Sequence, residues 1–325
     1  MAIGRREVLR GLAGAGLSLA LPRQGSARAY AKERVRIVVG FPPGGPLDIA
    51  ARIIAAPLST RIGVPVAVEN RVGANGNDAT REVVRAAPDG GTLLLCGPVN
   101  TINTTLFPEL DFDFARDVIP VAGIARVPLI VEVHPSVPVR SVPELIAYAR
   151  ANPGALRVAY AGTGTPQHVA IELFGQVAGV RLTLVPYPGS AQALADLLEG
   201  RAHAMFDPAP SSMPHVRAGR LIPLATTGPA RAEVLPEVPT VAETLPGYEG
   251  GSWFGLGVPR GTSEELVAQL NTAVNEALSD EAVRQELARL GSSPMPGSPE
   301  AFAAFVASET ARYAEIIRLA GIRAG

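Results

Sequence analysis

The segment between Arg34 and Asp48, RVRIVVGFPPGGPLD, constrains the fold more than any other part of the chain. Its β-branched run at residues 35–39 is typical of a buried strand. The prolines and glycines at residues 42–46 then force a tight turn, and apolar residues return at helical spacing after Asp48. The sequence therefore predicts a buried strand, a glycine turn and a helix in direct succession.

The same strand–turn–helix pattern recurs along the chain. Such alternation is typical of an α/β fold built on mainly parallel sheets with helices on both faces. Ligands of these sheets bind at the carboxyl ends of the strands. Pro57 falls inside the first predicted helix and should kink or shorten it, because its ring crowds the carbonyl of Ile53. The predicted strands are residues 34–39, 65–69, 92–96, 129–133, 157–160, 181–185, 203–206 and 224–226, and the predicted helices are residues 47–62, 78–86, 142–151, 166–178, 191–198, 213–218, 263–278, 281–290 and 299–319.

The first glycine turn is a candidate anion site. The amino end of a helix carries unpaired backbone N–H groups and the positive end of the helix dipole. Gly44 and Gly45 would let a carboxylate or phosphate approach those groups closely. A plain loop between strand and helix, with no ligand, is the alternative interpretation.

Two later turns repeat this arrangement. Thr163 and Thr165 follow the strand at residues 157–160, where their hydroxyls and amides are placed to bind a second anionic group. Thr165 is also a good N-cap for the next helix. Ser190 holds the corresponding N-cap position after the strand at residues 181–185.

Asp207 and His168 are polar residues at the same edges. Asp207 follows the strand at residues 203–206, where it either accepts a hydrogen bond from a ligand ammonium or hydroxyl or caps the next helix. His168 lies in the first turn of its helix, where a pocket role and a structural hydrogen bond are both open. The residue pattern does not choose between these alternatives.

Residues 1–29 have the features of an export signal. A basic start is followed by a short apolar run, and the Ala-Arg-Ala at residues 27–29 fits an A-x-A cleavage site. The apolar run is too short to span a bilayer as a stable helix. Arg5 and Arg6 indicate twin-arginine export, with the general secretory route as the alternative. Either route predicts a periplasmic protein whose mature chain begins at Tyr30.

Charge and residue usage exclude several function classes. Without residues 1–29, the chain keeps 24 basic and 29 acidic residues, a net charge of −5. This charge argues against a nucleic-acid or anionic-membrane partner. Lys32 is the single lysine, which excludes a P-loop and a catalytic lysine inside the fold. Cys96 cannot form an intrachain disulfide and is interpreted as a buried structural thiol.

No residue pattern indicates an enzyme, a cofactor or a metal. The histidines, His134, His168, His203 and His215, are not at metal-ligand spacing from one another or from the cysteine. The glycine-rich stretch at residues 70–76 does not match a dinucleotide loop, and no G-x-S-x-G motif occurs. We therefore expect no catalytic residues, no cofactor and no metal.

The motifs from Arg34 onward together resemble the periplasmic solute-binding proteins of tripartite tricarboxylate transporters, the Bug family. They follow one another in order down to the C-terminal part of the chain. They are F-P-P-G-G…D at residues 41–48, E-N-R-V-G-A at 69–74, A-P-D-G at 87–90, V-H-P-S at 133–136, A-N-P-G at 151–154, G-T-G-T…H at 162–168, V-P-Y-P-G-S at 185–190, M-F-D at 205–207, L-P-E-V-P-T-V-A-E at 235–243 and S-W-F-G at 252–255.

The resemblance implies a two-domain α/β fold, a periplasmic binding protein of type II-like architecture. Each domain would be a mainly parallel sheet flanked by helices, with a ligand cleft between the two. Domain 1 would comprise residues 30–126 plus 252–325, and domain 2 residues 127–251, with crossovers near residues 125–127 and 251–255.

The resemblance also implies a function. A monomer would bind a small carboxylate in the cleft and deliver it to membrane transporter subunits. A ligand-binding sensor subunit that docks on a membrane kinase is a second interpretation, and an exported α/β enzyme is a third.

The same resemblance places the ligand-binding residues at the strand ends already named. The first-domain turn would hold one carboxylate through backbone amides and waters, and the second-domain turn and Asp207 would complete the cleft. The residues expected at the site are Phe41, Pro43, Gly44, Gly45, Asp48, Asn100, Thr163, Gly164, Thr165, His168, Tyr187, Gly189, Asp207 and Phe254.

The chain departs from the family pattern at four points. Residues 46–47 are Pro-Leu where Ser/Thr-Thr is usual, which removes hydroxyl donors and makes the wall more apolar. Residues 166–167 are Pro-Gln in place of small hydroxyl residues, Gly91 replaces a tyrosine, and Pro208 replaces a common asparagine. Anion binding should survive because it rests on main-chain amides, whereas neither an amino acid nor an aliphatic dicarboxylate can be assumed as the ligand.

We expect Arg5→Lys combined with Arg6→Lys to leave uncleaved precursor in the cytoplasm, because the twin-arginine route reads both guanidinium groups. Cell fractionation and N-terminal sequencing measure this outcome. Arg10→Lys lies outside the pair, serves as the control and should be exported normally. Export of the double variant with Tyr30 as its first residue would assign the protein to the general secretory route.

Overall fold

The computed structural model describes residues 32–323 as two β-sheets, each covered by helices. The predicted export signal, with Arg5 and Arg6, lies outside these residues. The chain first forms β1 (Val35–Val39), α1 (Pro46–Ile62), β2 (Val66–Asn70), α2 (Asn77–Val84), β3 (Thr92–Cys96), α3 (Pro98–Leu106), α4 (Phe114–Asp117) and β4 (Val118–Val127). It continues with β5 (Leu129–Val133), α5 (Val142–Ala151), β6 (Arg157–Tyr160), α6 (Pro166–Ala178), β7 (Thr183–Pro186), α7 (Ser190–Leu198), β8 (Ala204–Pro208), α8 (Ala209–Arg217) and β9 (Ile222–Thr226). It ends with β10 (Ser252–Pro259), α9 (Glu264–Ser279), α10 (Glu281–Arg289), β11 (Ser293–Pro294) and α11 (Pro299–Ala320).

The first sheet has the strand order β11-β4-β10-β3-β1-β2, and the second has the order β7-β6-β8-β5-β9. In the first sheet β1 is parallel to β2 and β3, and in the second β6 is parallel to β7 and β8. The predicted α/β fold is confirmed. The sheets are mixed rather than mainly parallel, because the strands that carry the chain between them, β4, β5 and β10, run antiparallel to the strands beside them.

The two connections between the sheets lie side by side. β4 ends at Val127 and β5 begins at Leu129, so Pro128 alone separates them. The returning chain enters β10 at Ser252, which pairs with Val127. Pro128 fixes its own φ and restricts the residue before it, which keeps the first connection short and stiff. The domain boundaries expected from the sequence stay a prediction.

Each sheet has its own apolar core. In the first, Leu58 of α1 and Val274 of α9 are fully buried against the strands. The second sheet is covered by α5 and α6. Tyr313 of α11 packs in one cluster with Ile102 of α3 and Val169 of α6. The C-terminal helix therefore contacts elements that belong to both sheets. No helix within residues 32–323 is long and apolar enough to cross a membrane.

Pro57 does not shorten its helix, so that part of the expectation is wrong, while a kink at Pro57 stays a prediction. α1 continues for five residues beyond Pro57 and ends at Ile62. Ile54 and Leu58 on either side are 0 % exposed. Packing of this apolar face on the sheet outweighs the hydrogen bond that the proline removes.

Helix starts in the second half also differ from the prediction. Thr165 is confirmed as an N-cap, since its Oγ1 accepts a hydrogen bond from the N–H of His168 at 3.3 Å. Ser190 is instead the first residue of α7, because Gly189 before it has the extended conformation of an N-cap, with φ of −176°. Asp207 lies inside β8, and α8 begins directly after that strand rather than at Met213.

Gly255→Ala should destabilise the first sheet. An added Cβ would lie 2.2 Å from Cζ of Phe302 and 2.8 Å from the carbonyl oxygen of Ala122, so a side chain and a neighbouring strand would have to move. We expect the free energy of unfolding to fall by about 1–3 kcal/mol, as is usual for an overpacked core. Urea unfolding measures this change. Gly297→Ala is the matched control, since its added Cβ meets only Ala301 Cβ at 3.8 Å, and equal loss in both variants would contradict the prediction.

Candidate ligand-binding site

A cleft lies between the two sheets, where strand ends and helix starts from both halves face each other. Its cavity has a volume of about 30 Å³, which leaves room for only one or two water molecules. The amino ends of α1, α3, α6 and α7 form its walls. The lining residues are Phe41, Pro42, Gly45, Pro46, Leu47, Gly97, Pro98, Val99, Ala161, Thr165, Pro166, Gln167, Ser190, Ala191, Pro208 and Ser252.

The turn between β1 and α1 presents the start of a helix to the cleft. Gly44 has φ of +79°, a conformation that glycine adopts without strain. Gly45 is the N-cap of α1, and no side chain caps that helix. Pro46 has no N–H to satisfy, so the amides of Leu47 and Asp48 are those that the helix leaves without an acceptor. This end of α1 can therefore receive an anion.

Asp48 holds this turn in place from behind. Its carboxylate accepts hydrogen bonds from the N–H of Gly44 at 2.9 Å, from Nε and Nη2 of Arg52 at 2.9 and 2.8 Å, and from Nδ2 of Asn70 at 3.0 Å. Burial acts to raise the pKa of Asp48, but these bonds hold the pKa below its ordinary value. The buried carboxylate is thus bonded to the protein, and the Gly44 amide is bonded to it.

Asn100 has a similar position beneath the second turn of the same wall. Its Oδ1 accepts the N–H of Gly97 at 2.9 Å, and its Nδ2 donates to Oγ1 of Thr80 at 2.9 Å. A Cβ on Gly97 would lie 3.0 Å from the carbonyl oxygen of Trp253 and 3.6 Å from the ring of Phe254. Asn100 and Phe254 therefore support the Gly97 turn and do not line the cavity.

His168 makes structural bonds in the opposite wall. Its Nδ1 accepts the N–H of Gly164 at 3.3 Å, so the neutral ring carries its proton on Nε2. The ring stacks on Tyr160, with centroids 5.0 Å apart. Burial lowers the pKa of His168 to about 4. At neutral pH this imidazole is uncharged and supplies no positive charge to the cleft.

Asp207 is the centre of a buried network behind the second wall. Its carboxylate accepts hydrogen bonds from Nε2 of Gln167 and from the hydroxyls of Ser211 and Ser212, and it also bonds to Ser190. These four partners lie on α6, α7 and α8. Burial raises the pKa of Asp207 to about 6. The carboxylate therefore fixes the starts of three helices and is fully covered by them.

Glu132 extends this network to β5. Its Oε1 lies 2.6 Å from the hydroxyl of Ser212, which shares its one hydrogen between Glu132 and Asp207, while its buried Oε2 has no hydrogen-bond partner. Burial, reinforced by the nearby Asp207, raises the pKa of Glu132 well above its ordinary value. Burial thus favours the neutral, protonated form of Glu132.

A neighbouring pocket collects other predicted residues. Phe41, Thr163 and Tyr187 line it together with Asn75 and Gly162. The hydroxyl of Tyr187 donates to Oδ2 of Asp196 at 2.7 Å. Tyr187 therefore presents its ring to this pocket, while its hydroxyl is bonded to Asp196.

The structure thus divides the predicted site residues into three groups. Phe41, Gly45 and Thr165 line the cavity, while Thr163 and Tyr187 line the neighbouring pocket. The others support or flank the turns, and they are Pro43, Gly44, Asp48, Asn100, Gly164, His168, Gly189, Asp207 and Phe254. Whether each of these residues binds the ligand stays a prediction.

Sequence reasoning missed several lining residues. Pro98 and Val99 follow the buried strand β3 and a glycine, which is the same strand–Gly–Pro signal that precedes α1. Gln167 and Ser190 were visible as residues of the first turns of α6 and α7. Ser252 begins the S-W-F-G motif at a predicted crossover, but the pairing of β10 with β4 is what brings it to the cleft. Within residues 32–323, no group of three His, Cys, Asp or Glu side chains is placed to hold a metal.

Comparison with known proteins gives the class of this molecule. Residues 50–322 match the family described as "Tripartite tricarboxylate transporter family receptor". Protein BugT of Bordetella pertussis, strain Tohama I, is 34% identical over 302 residues, which cover 92% of each chain. The chain belongs to the tripartite tricarboxylate transporter receptor family, and its resemblance to Bug proteins is confirmed.

Solved structures of related proteins share the fold. A protein of R. palustris solved with adipate has a TM-score of 0.88 and 40% identity, covering 90% of this chain and 99% of its own. MatC from Rhodopseudomonas palustris, with bound malate, has a TM-score of 0.82 and 35% identity, covering 87% and 99%. The periplasmic binding protein BugD has a TM-score of 0.86 and 30% identity, covering 90% and 99%.

Removing the Asp207 carboxylate should change how stability depends on pH. The ordinary pKa is 3.8 and the native pKa is about 6, so between these values the native state keeps a proton that the unfolded chain loses. The free energy of unfolding of the wild type therefore falls as pH rises from about 4 to about 6, by about 1–3 kcal/mol from this group. Asp207→Asn should lack this part of the decrease in the free energy of unfolding with pH. Urea unfolding at a series of pH values measures the difference.

Asp48→Asn is the matched control, because the pKa of Asp48 is shifted in the opposite direction from that of Asp207. The native pKa of Asp48 is lowered, so its contribution is present at higher pH and is lost as pH falls through the native pKa. Parallel pH profiles for the wild type and Asp207→Asn would mean that Asp207 titrates alike in the native and unfolded states.

Proposed function

We propose that this chain is a periplasmic solute-binding protein that captures a small carboxylate in the cleft. As a monomer without catalytic activity or cofactor, it delivers the ligand to the membrane subunits of a tripartite tricarboxylate-type transporter. Family membership and the carboxylates bound by two structural relatives, adipate and malate, support this proposal.

One observation carries the proposal: four helices begin at the cleft, while the described lining contains no charged side chain. Each helix start contributes a partial positive charge and unpaired backbone N–H groups. The two nearby carboxylates, Asp48 and Asp207, are buried and bonded to protein donors. The cleft is therefore suited to an anion that brings its own negative charge.

Binding requires the two halves to separate. A cavity of about 30 Å³ does not hold a carboxylate the size of adipate. Pro42 and Gly189 contact across it, since a Cβ on Gly189 would lie 3.0 Å from Cδ of Pro42. We propose that residues 30–126 plus 252–325 and residues 127–251 move as two domains about the paired crossovers at Val127 and Ser252.

Gly45→Val should weaken carboxylate binding without unfolding the protein. Gly45 has φ of −79°, which any L-residue adopts, and its added Cβ meets only the carbonyl oxygen of Pro42 at 3.4 Å. The side chain would instead fill the cavity and block the start of α1. We expect affinity to fall tenfold or more, about 1.4 kcal/mol. Calorimetry with the tightest-binding acid from a panel of adipate, malate, benzoate and phenylacetate measures this.

The amide of the same ligand is the chemical control. It lacks the charge that the helix ends favour, so the wild type should bind it poorly. Gly297 is not a lining residue, and its added Cβ meets only Cβ of Ala301 at 3.8 Å, so Gly297→Val should bind the acid as the wild type does. If the wild type bound the acid and the amide with equal affinity, the assignment of the cleft as an anion site would be wrong.

A further inference from the structure

Three of the four polar side chains that line the cavity, Thr165, Gln167 and Ser190, are already bonded to the protein. The amide oxygen of Gln167 accepts the N–H of Ala161 at 2.6 Å, and its nitrogen donates to the hydroxyl of Ser190 at 2.8 Å and to the carboxylate of Asp207. Both hydrogens and the oxygen of this amide therefore have partners within the wall. Gln167 lines the cavity but offers a ligand little hydrogen-bonding capacity.

The two neighbouring hydroxyls are occupied in the same way. Ser190 accepts from Gln167 and hydrogen-bonds to Asp207. The hydroxyl of Thr165 donates to the carbonyl oxygen of Gly162 at 2.9 Å and accepts the N–H of His168 at 3.3 Å. A ligand hydroxyl or ammonium that replaced one of these bonds would leave a buried protein group unpaired, which weakens binding.

The rest of the lining is apolar. Five prolines, which have no N–H, and the side chains of Leu47, Val99, Ala161 and Ala191 make up most of its surface. Ser252, at the start of β10, lies outside the Asp207 network, so its hydroxyl can donate to a ligand carboxylate. The donors directed at a ligand are thus concentrated at the helix starts, and acceptors for a ligand N–H or O–H are scarce between them.

We propose that the ligand is a carboxylate whose body is a hydrocarbon, aliphatic or aromatic, without a hydroxyl or amino group. The inference rests on the proposed function and names the ligand class of that site. The helix starts bind the carboxylate, and the apolar wall receives the body. An ammonium is disfavoured twice, because the acceptors of Gln167, Ser190 and Thr165 already have protein partners and because it meets the positive ends of four helices.

Calorimetry with matched pairs on the mature protein tests this. The pairs are succinate with malate, glutarate with glutamate, and 3-phenylpropionate with phenylalanine, each differing by one hydroxyl or one amino group. In every pair that binds, we expect the hydrocarbon member to bind at least tenfold more tightly. Malate or an amino acid binding as tightly as its partner would overturn the inference while leaving the carboxylate function intact. Binding of no carboxylate at all would overturn the proposed function itself.

Leu47 provides a test within the chain. Its half-buried side chain lines the cavity from the first turn of α1. Leu47→Thr adds a hydroxyl to the wall. Leu47→Val is the matched control, because a valine side chain has the shape of threonine without the hydroxyl. We expect the ratio of the affinities for succinate and malate to be at least threefold smaller in the threonine variant than in the valine variant. If another of the pairs binds best, the ratio for that pair is compared instead. An equal preference in the two variants would show that wall polarity does not set the ligand class.

Discussion

The antiparallel pairing of β4 with β10 is the interaction on which the rest of the structure depends. It runs from Ser252 beside Val127 to Pro259 beside Val118 and joins the strands at both crossings between the sheets. Gly255 within this pair leaves the space that the ring of Phe302 occupies, so the pairing also fixes where α11 packs. Because both connections lie in one place, the two halves of the molecule meet at a cleft whose lining includes Ser252 of the second connection.

The cleft draws its electrostatic character from the backbone. Strands that end at the cleft are followed by helices that start there, so α1, α3, α6 and α7 all direct their positive ends toward it. The carboxylates of Asp48 and Asp207 lie behind the turns and accept hydrogen bonds that hold the turns in position. Asp207 is fully buried, and this burial is stable only because Gln167 and three serines surround it with donors. Anion binding and a largely apolar wall are therefore compatible in one site.

The sequence by itself determined many of the local elements, though not β4 or β10, and it predicted a site at the carboxyl ends of the strands. The bounds of β3, β5, α5, β6 and α6 agree with their predicted residues, because period, β-branching and caps act over a few residues. α3 was not predicted, because its sequence, PVNTINTTL, is rich in Thr and Asn. Its burial comes from packing on other elements. Gly45 and Thr165 were placed at the cleft because each follows a strand whose carboxyl end lies at the ligand-binding edge of its own sheet.

Only the tertiary structure decided which way the polar side chains point. Asp48, Asn100 and Asp207 bond to Arg52, Thr80 and Gln167, partners that lie 4, 20 and 40 residues away along the chain. A local pattern identifies a carboxylate at a strand end, but it cannot show whether a donor from another element reaches that carboxylate first. The direction of a buried polar group is set by the positions of all its neighbours, since each such group must find a partner wherever the fold brings one within reach.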